Sequence, residues 1–184
     1  MRKEEVIAEV YELFRTRGGE SYGEEVTQRQ HAVQVGLLAI GNHESAEGVA
    51  AAFLHDIAHL LTEPGKSGPF GSPNHDALGG RWARERGFSE TTACLIENHV
   101  AAKRYLTARE EGYFARLSFA SRKTLVEQGG PMSEEEARAF EEDPLFSRHL
   151  QLRRWDEAGK DDSADLEDVE QFRPYLARAL GARA

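Results

Sequence analysis

The sequence is short of cysteine, of long apolar runs and of positive charge, and each shortage excludes something. Its 184 residues include one cysteine, Cys94, so an internal disulfide and a cluster of thiolate ligands are both excluded. Cys94 lies in the apolar stretch Ala93-Cys94-Leu95-Ile96, which predicts a buried, inert thiol. No apolar run approaches the length needed to span a bilayer. Residues 1–14 are charged and amphipathic, unlike a signal peptide. A cytoplasmic protein without membrane partners is the expectation. The formal net charge is −9, which argues against nucleic acid as a partner, because a phosphate-backbone interface needs a basic surface. It does not argue against a small anionic substrate, since a few cations and a metal dominate the field inside a pocket. Composition is silent on oligomeric state.

What is present is helical periodicity, with no strand-like alternation and no internal repeat. Length and apolar content suit one all-helical domain over 1–184 with a buried core. Val6, Val10, Leu13 and Phe14 share one helix face, and Gly18-Gly19 ends that helix. Thr27 with Gln30 predicts a capping box opening a helix through His31 to about Ile40. Ser45 caps a helix predicted over 46–61. Residues 64–73 form a loop on turn chemistry alone. Asn74 opens a helix ending at Gly87, and Ser89 opens one carrying Glu97, His99 and Lys103. Short helices are expected over 108–116, 118–128 and 133–141, and a longer one over 145–158. After a polar connection over 159–164, an amphipathic helix is expected over 165–181, with Pro174 breaking or restarting it.

The chemistry lies in histidines and carboxylates. His55-Asp56-Ile57-Ala58-His59 puts two imidazoles four residues apart, on one helix face, with Asp56 at its edge. Adjacent His55 and Asp56 can both reach a metal, with the carboxylate free to bridge a second. His31, His55, Asp56, His75, His99 and Asp156 are six candidate ligands. One metal takes about three or four protein ligands with a position left open, so six, with Asp56 shared, suit two. Helix-borne histidines and carboxylates facing one interior are a known dinuclear construction. Taken singly, each is as well explained as a core or surface residue; together they favour metal. His43 and His149 fall outside the pattern and are read as surface residues. Imidazole and carboxylate donors without thiolate suit Fe, Mn, Zn or Ni.

The order His31, His55-Asp56, Asp156 resembles the HD-domain metalloproteins, and the additional His75 and His99 resemble their dinuclear branch. Within it, several segments resemble the HD-domain diiron oxygenases that cleave organophosphonates, the PhnZ-like family. They are Gly23-Glu24-Glu25-Val26-Thr27-Gln28, the run from His99 to Leu106, Leu117-Ser118-Phe119-Ala120-Ser121, Gln128-Gly129-Gly130-Pro131-Met132 and Arg153-Arg154-Trp155-Asp156. They place a catalytic core over about 20–160. The resemblance implies an HD-domain helical bundle with a mixed-valence Fe(II)/Fe(III) pair inside and O2 as co-substrate. The substrate would be a 1-hydroxy-2-(amino or trimethylammonio)ethylphosphonate, cleaved to phosphate and glycine or glycine betaine.

The same resemblance assigns His31, His55, Asp56 and Asp156 to one iron, and bridging Asp56 with His75 and His99 to the other. Lys103, Ser121 and Thr124 would hold the phosphonate, His59 would face the substrate and Glu24 its amine end. Asp56, His59 and Lys103 would be the catalytic residues. The family's gating tyrosine stands three residues before that glutamate; here Tyr22 stands two before it, and Ser21 occupies the expected place. Three alternatives stay open. One is a metal-dependent HD phosphohydrolase of a nucleotide or other phosphate ester, since two metals also activate water. Another is a binding domain with a degenerate site. The third is a myo-inositol-oxygenase-like activity.

Overall fold

A computed structural model describes residues 2–21, 23–62, 74–164 and 166–181. The described residues form twelve α-helices and no strand: α1 Lys3–Arg17, α2 Gln28–Gly41, α3 Ala46–Leu54, α4 Ile57–Leu61, α5 His75–Arg86, α6 Glu90–Glu97, α7 His99–Arg109, α8 Tyr113–Arg116, α9 Phe119–Glu127, α10 Glu134–Glu141, α11 Phe146–Ala158 and α12 Arg173–Ala179. None is long and apolar enough to cross a membrane.

Helix α3 is the centre. Every residue from Gly48 to Leu54 is buried, and α2, α6 and α12 pack around it. Its run of small side chains, Val49-Ala50-Ala51-Ala52, lets those helices approach closely. Phe53 stacks between Phe14 of α1 and Phe172, just before α12, with ring centroids 4.8 and 4.2 Å away, joining the two ends of the chain through one aromatic column. Gly36 of α2 leaves room for that column: a Cβ there would stand 2.4 Å from the Phe172 ring.

The caps on Thr27, Ser45 and Ser89 form as their sequences predict, each side chain accepting from a backbone N–H in the first turn. Gly87 closes α5 in the left-handed region, φ 84°. Pro174 restarts the chain as helix, seated in the first turn of α12.

Several expectations are corrected. The helix expected over 46–61 is two, parted at His55-Asp56, where Asp56 has φ −102° and ψ 12°. The helix expected from Ser89 through Lys103 is likewise two, parted at Asn98 with φ −102° and ψ 5°. On a straight helix, neighbours diverge by roughly 100°; breaking it there turns His55 and Asp56 inward together. The helix expected over 108–116 is the end of α7 plus the single turn α8, separated at Gly112, φ 72°. The final helix is shorter than 165–181, because 166–169 are irregular; Asp165 and 182–184 lie outside the described residues, as do 63–73. His149 is no surface residue: it is wholly buried, stacked on Phe140 at 5.5 Å, with Nε2 3.4 Å from Asp143. Cys94 is only half-buried, with Sγ 3.1 Å from a Glu90 oxygen. Burial and that carboxylate push its thiol up to about 11, so the expectation of inertness stands for a different reason.

Candidate functional site

Helices α2, α5, α7 and α11 and the break between α3 and α4 bring the predicted ligands to one buried centre. Asp56 stands in the middle, and its two oxygens face different histidines. Oδ2 lies 3.5 Å from His55 Nε2 and 3.8 Å from His31 Nε2. Asp156 of α11 adds Oδ1, 3.3 Å from His31 Nε2 and 3.8 Å from His55 Nε2. On the other side, Asp56 Oδ1 lies 3.4 Å from His75 Nε2, 3.5 Å from His99 Nε2 and 3.9 Å from His59 Nε2. Two ligand-sized groups result, His31/His55/Asp156 and Asp56/His59/His75, with His99 Nε2 2.9 Å from His75 Nε2.

The donor chemistry suits a cation. His31 Nδ1 lies 2.8 Å from the Gly159 carbonyl, His55 Nδ1 2.9 Å from that of Ala52, and His99 Nδ1 2.7 Å from that of Ile96. A carbonyl only accepts, so each Nδ1 donates and each neutral ring turns a lone pair inward at Nε2. Yet the Nε2 atoms of His31 and His55 are 3.2 Å apart, with carboxylate oxygens around them. Two lone pairs at that distance repel unless positive charge, a metal ion or a proton on His31, lies between them. Carbonyl-oriented imidazoles of this kind are the outer support usual at metal sites. Burial lowers His55, and burial with the nearby His75 takes His99 well below its ordinary value, so both are neutral donors. Burial also opposes charge on His31, but the Asp156 and Asp56 carboxylates overcome it and raise His31. Burial works against ionised Asp56 too, and the four surrounding imidazoles outweigh it, holding the carboxyl well down. The residues therefore fit a metal group, with Asp56 facing both clusters of donors.

Beside this centre lies a small cavity of about 70 Å³, room for on the order of five waters. Glu24, His59, Lys103, Ser121 and Thr124, all expected at the substrate, line it. Lys103 is buried and donates to Thr124 Oγ1 at 3.0 Å and to the Ser121 carbonyl at 3.4 Å. Burial, helped by the nearby Arg153, brings its ammonium down to about 7. His59 stacks on His75, centroids 4.4 Å apart, so it belongs as much to the metal side as to the substrate side. Burial and neighbouring His75 push it to about 3. Tyr22 lies outside the described residues.

Two further cations line the cavity, and neither was singled out from sequence. Buried Arg153 donates to the far oxygen of Asp156, to Glu157 at 2.9 Å and to Ser121 Oγ at 3.3 Å. Its spacing of three from Asp156 on one helix was the available signal. Lys160, in the connection after α11, donates to Glu24 Oε1 at 2.6 Å, and Ser118 Oγ donates to the same oxygen at 2.6 Å. No local pattern marked that contact.

No family model matches the chain. Curated relatives do. A protein of Acanthamoeba polyphaga mimivirus named only as uncharacterized L432 is 40% identical over 95% of this chain and 80% of its own length. The [1-hydroxy-2-(trimethylamino)ethyl]phosphonate dioxygenase (glycine-betaine-forming) of Leisingera caerulea is 37% identical over 91% of this chain and 87% of its own. The hydroxymethylphosphonate dioxygenase of Gimesia maris is 34% identical over 96% and 89%. Neither named activity is a hydrolysis, so the phosphohydrolase alternative is not favoured. With its helical His/Asp centre and relatives of this similarity along nearly its whole length, the chain belongs to the PhnZ-like, HD-domain phosphonate dioxygenases.

Proposed function

We propose that this protein uses O2 to cleave the carbon–phosphorus bond of a 1-hydroxyalkylphosphonate, yielding a carboxylate, phosphate and a proton. The observation that carries this reading is the Asp56-bridged double cluster opening onto a cationic, hydroxyl-lined cavity. The named relatives share a 1-hydroxyphosphonate and differ in the rest of the substrate. His31, His55, Asp156 and Asp56 would hold one iron, and Asp56, His75 and His99 the other. That mixed-valence iron pair would supply O2 activation and Lewis acidity.

The rest falls to this chain's own groups. Lys103 Nζ would donate to the phosphonate oxygens, positioned by the Thr124 hydroxyl, which accepts from it and itself donates to the Ala120 carbonyl; Ser121 Oγ, fixed by Arg153, would add a second donor. A dianion beside Lys103 favours its protonated form and offsets the desolvation that lowers it. Arg153 occupies the outer oxygen of Asp156, leaving Oδ1 for the metal. His59 bounds the cavity beside carbon 1. Burial of these groups keeps bulk water from the reacting carbon.

The test supplies iron-loaded protein with hydroxymethylphosphonate, 2-amino-1-hydroxyethylphosphonate or its trimethylammonium analogue under oxygen. Phosphate release matched by O2 uptake is expected, with a mixed-valence EPR signal perturbed by substrate. Oxygen-independent phosphate release from a nucleotide would overturn the reading.

A further inference from the structure

The far wall of the cavity carries a carboxylate that is already taken. Glu24 is the acidic residue expected to meet a substrate amine. Its Oε1 accepts from Lys160 Nζ and from Ser118 Oγ, both at 2.6 Å. Lys160 and Glu24 are about four-fifths withdrawn from solvent, with side-chain exposures of 18% and 22%. Such a pair is screened less than a surface one. Lys160 Nζ also lies 3.5 Å from Ser121 Oγ, so its charge bears on the phosphonate end as well. The cavity is thus lined by three cations, Lys103, Arg153 and Lys160, and the one carboxylate at its far wall is neutralised from within the chain.

We propose that Lys160 is a specificity-determining residue: by occupying Glu24 it makes the site select 1-hydroxyphosphonates with no positive charge on carbon 2, and disfavour those with an amine or quaternary ammonium there. This rests on the phosphonate reading of the site and deepens it. An incoming ammonium meets a carboxylate whose charge Lys160 already balances, and it must sit beside Lys160, like charge against like. A trimethylammonium group gains less still, because it has no N–H to donate to Glu24.

The test compares hydroxymethylphosphonate with the amino and trimethylammonio substrates on the wild type, Lys160→Met, Glu24→Gln and the double variant. Two readouts are taken: kcat/KM under oxygen, and anaerobic binding by calorimetry. The wild type should favour hydroxymethylphosphonate. Lys160→Met should shift the preference toward the amino substrate by about ten- to a hundredfold, the worth of one charge-assisted hydrogen bond. The double variant should lose that shift, because it requires Glu24; a merely structural Lys160 would not produce this dependence. A wild type that already prefers the cationic substrates overturns the proposal. So does Lys160→Met weakening all three alike, which would make Lys160 a phosphonate ligand. If no phosphonate is consumed under oxygen, the proposed activity falls, while the anaerobic binding ratios still decide on Lys160.

Discussion

At the scale of single residues, Lys103 and Arg153 show how burial turns ordinary cations into instruments. Lys103 is 2% exposed and is held by Thr124 and Ser121. Lys103→Ala should raise KM for the phosphonate about ten- to a hundredfold, the loss of one charge-assisted contact. Iron content, checked by elemental analysis, should stay intact; its loss would mean that Lys103 supports the metals instead. Arg153→Met should behave differently. It strands the outer oxygen of buried Asp156, a change on the order of 3–5 kcal/mol when one partner of a buried pair is removed. A lower melting temperature and reduced iron content are expected together, with partial recovery in Arg153→Lys. The clustering of His31, His55, Asp56, His75, His99 and Asp156 was legible in the sequence because histidine and aspartate at those spacings have few other uses in combination. Arg153 and Lys160 were not, because a cation on or beside a helix is ordinarily solvated, and only tertiary packing reveals otherwise.

At the scale of elements, the informative features are the two breaks. Helix caps were readable because they are local: a hydroxyl accepts from a backbone N–H three residues on. The breaks at His55-Asp56 and Asn98 were not, since no proline or glycine marks either one. Both residues sit in the sparsely populated bridge region between helix and extended backbone. Tertiary packing decides them, at the expense of local preference. Close approach offers a cleaner prediction elsewhere. Gly36→Ala puts a methyl into the Phe172 ring, and overpacking of this kind costs about 1–3 kcal/mol. Thermal denaturation should show a drop of several degrees with the metal site unaffected, since Phe172 lies on the aromatic column and not at the ligands.

At the scale of the whole molecule, stability should follow both metal and pH. Ions that bind the folded chain alone stabilise it by about 2.7 kcal/mol at a hundredfold excess over Kd, or roughly 5–10 °C in a domain of this size. Chelation should lower the melting temperature by that order, and Asp56→Ala should abolish the difference, since both groups share Asp56. On the acid side, Arg86 hydrogen-bonds to Glu9 and ties α5 to α1. That bond lowers the Glu9 carboxyl below its ordinary value. A depressed folded value means the contribution is full above the unfolded carboxyl's range and disappears as pH falls through the folded one. The pair is half-buried at the surface and partly screened by solvent, so its worth is about 1 kcal/mol. Glu9→Gln should lower the melting temperature at neutral pH by that amount, leave the acid end nearly unchanged, and so flatten the acid limb between them.

The placement of Glu24, Ser118 and Lys160 has one more consequence. Glu24 lies before α2, Ser118 caps α9 and Lys160 follows α11, so all three sit outside helix interiors. The clustered histidines and aspartates are carried by other elements, α2, α5, α7, α11 and the break between α3 and α4. A lineage can therefore exchange one substrate for another by altering three loop positions, without disturbing that cluster. Diversification among such proteins should collect at these three joints.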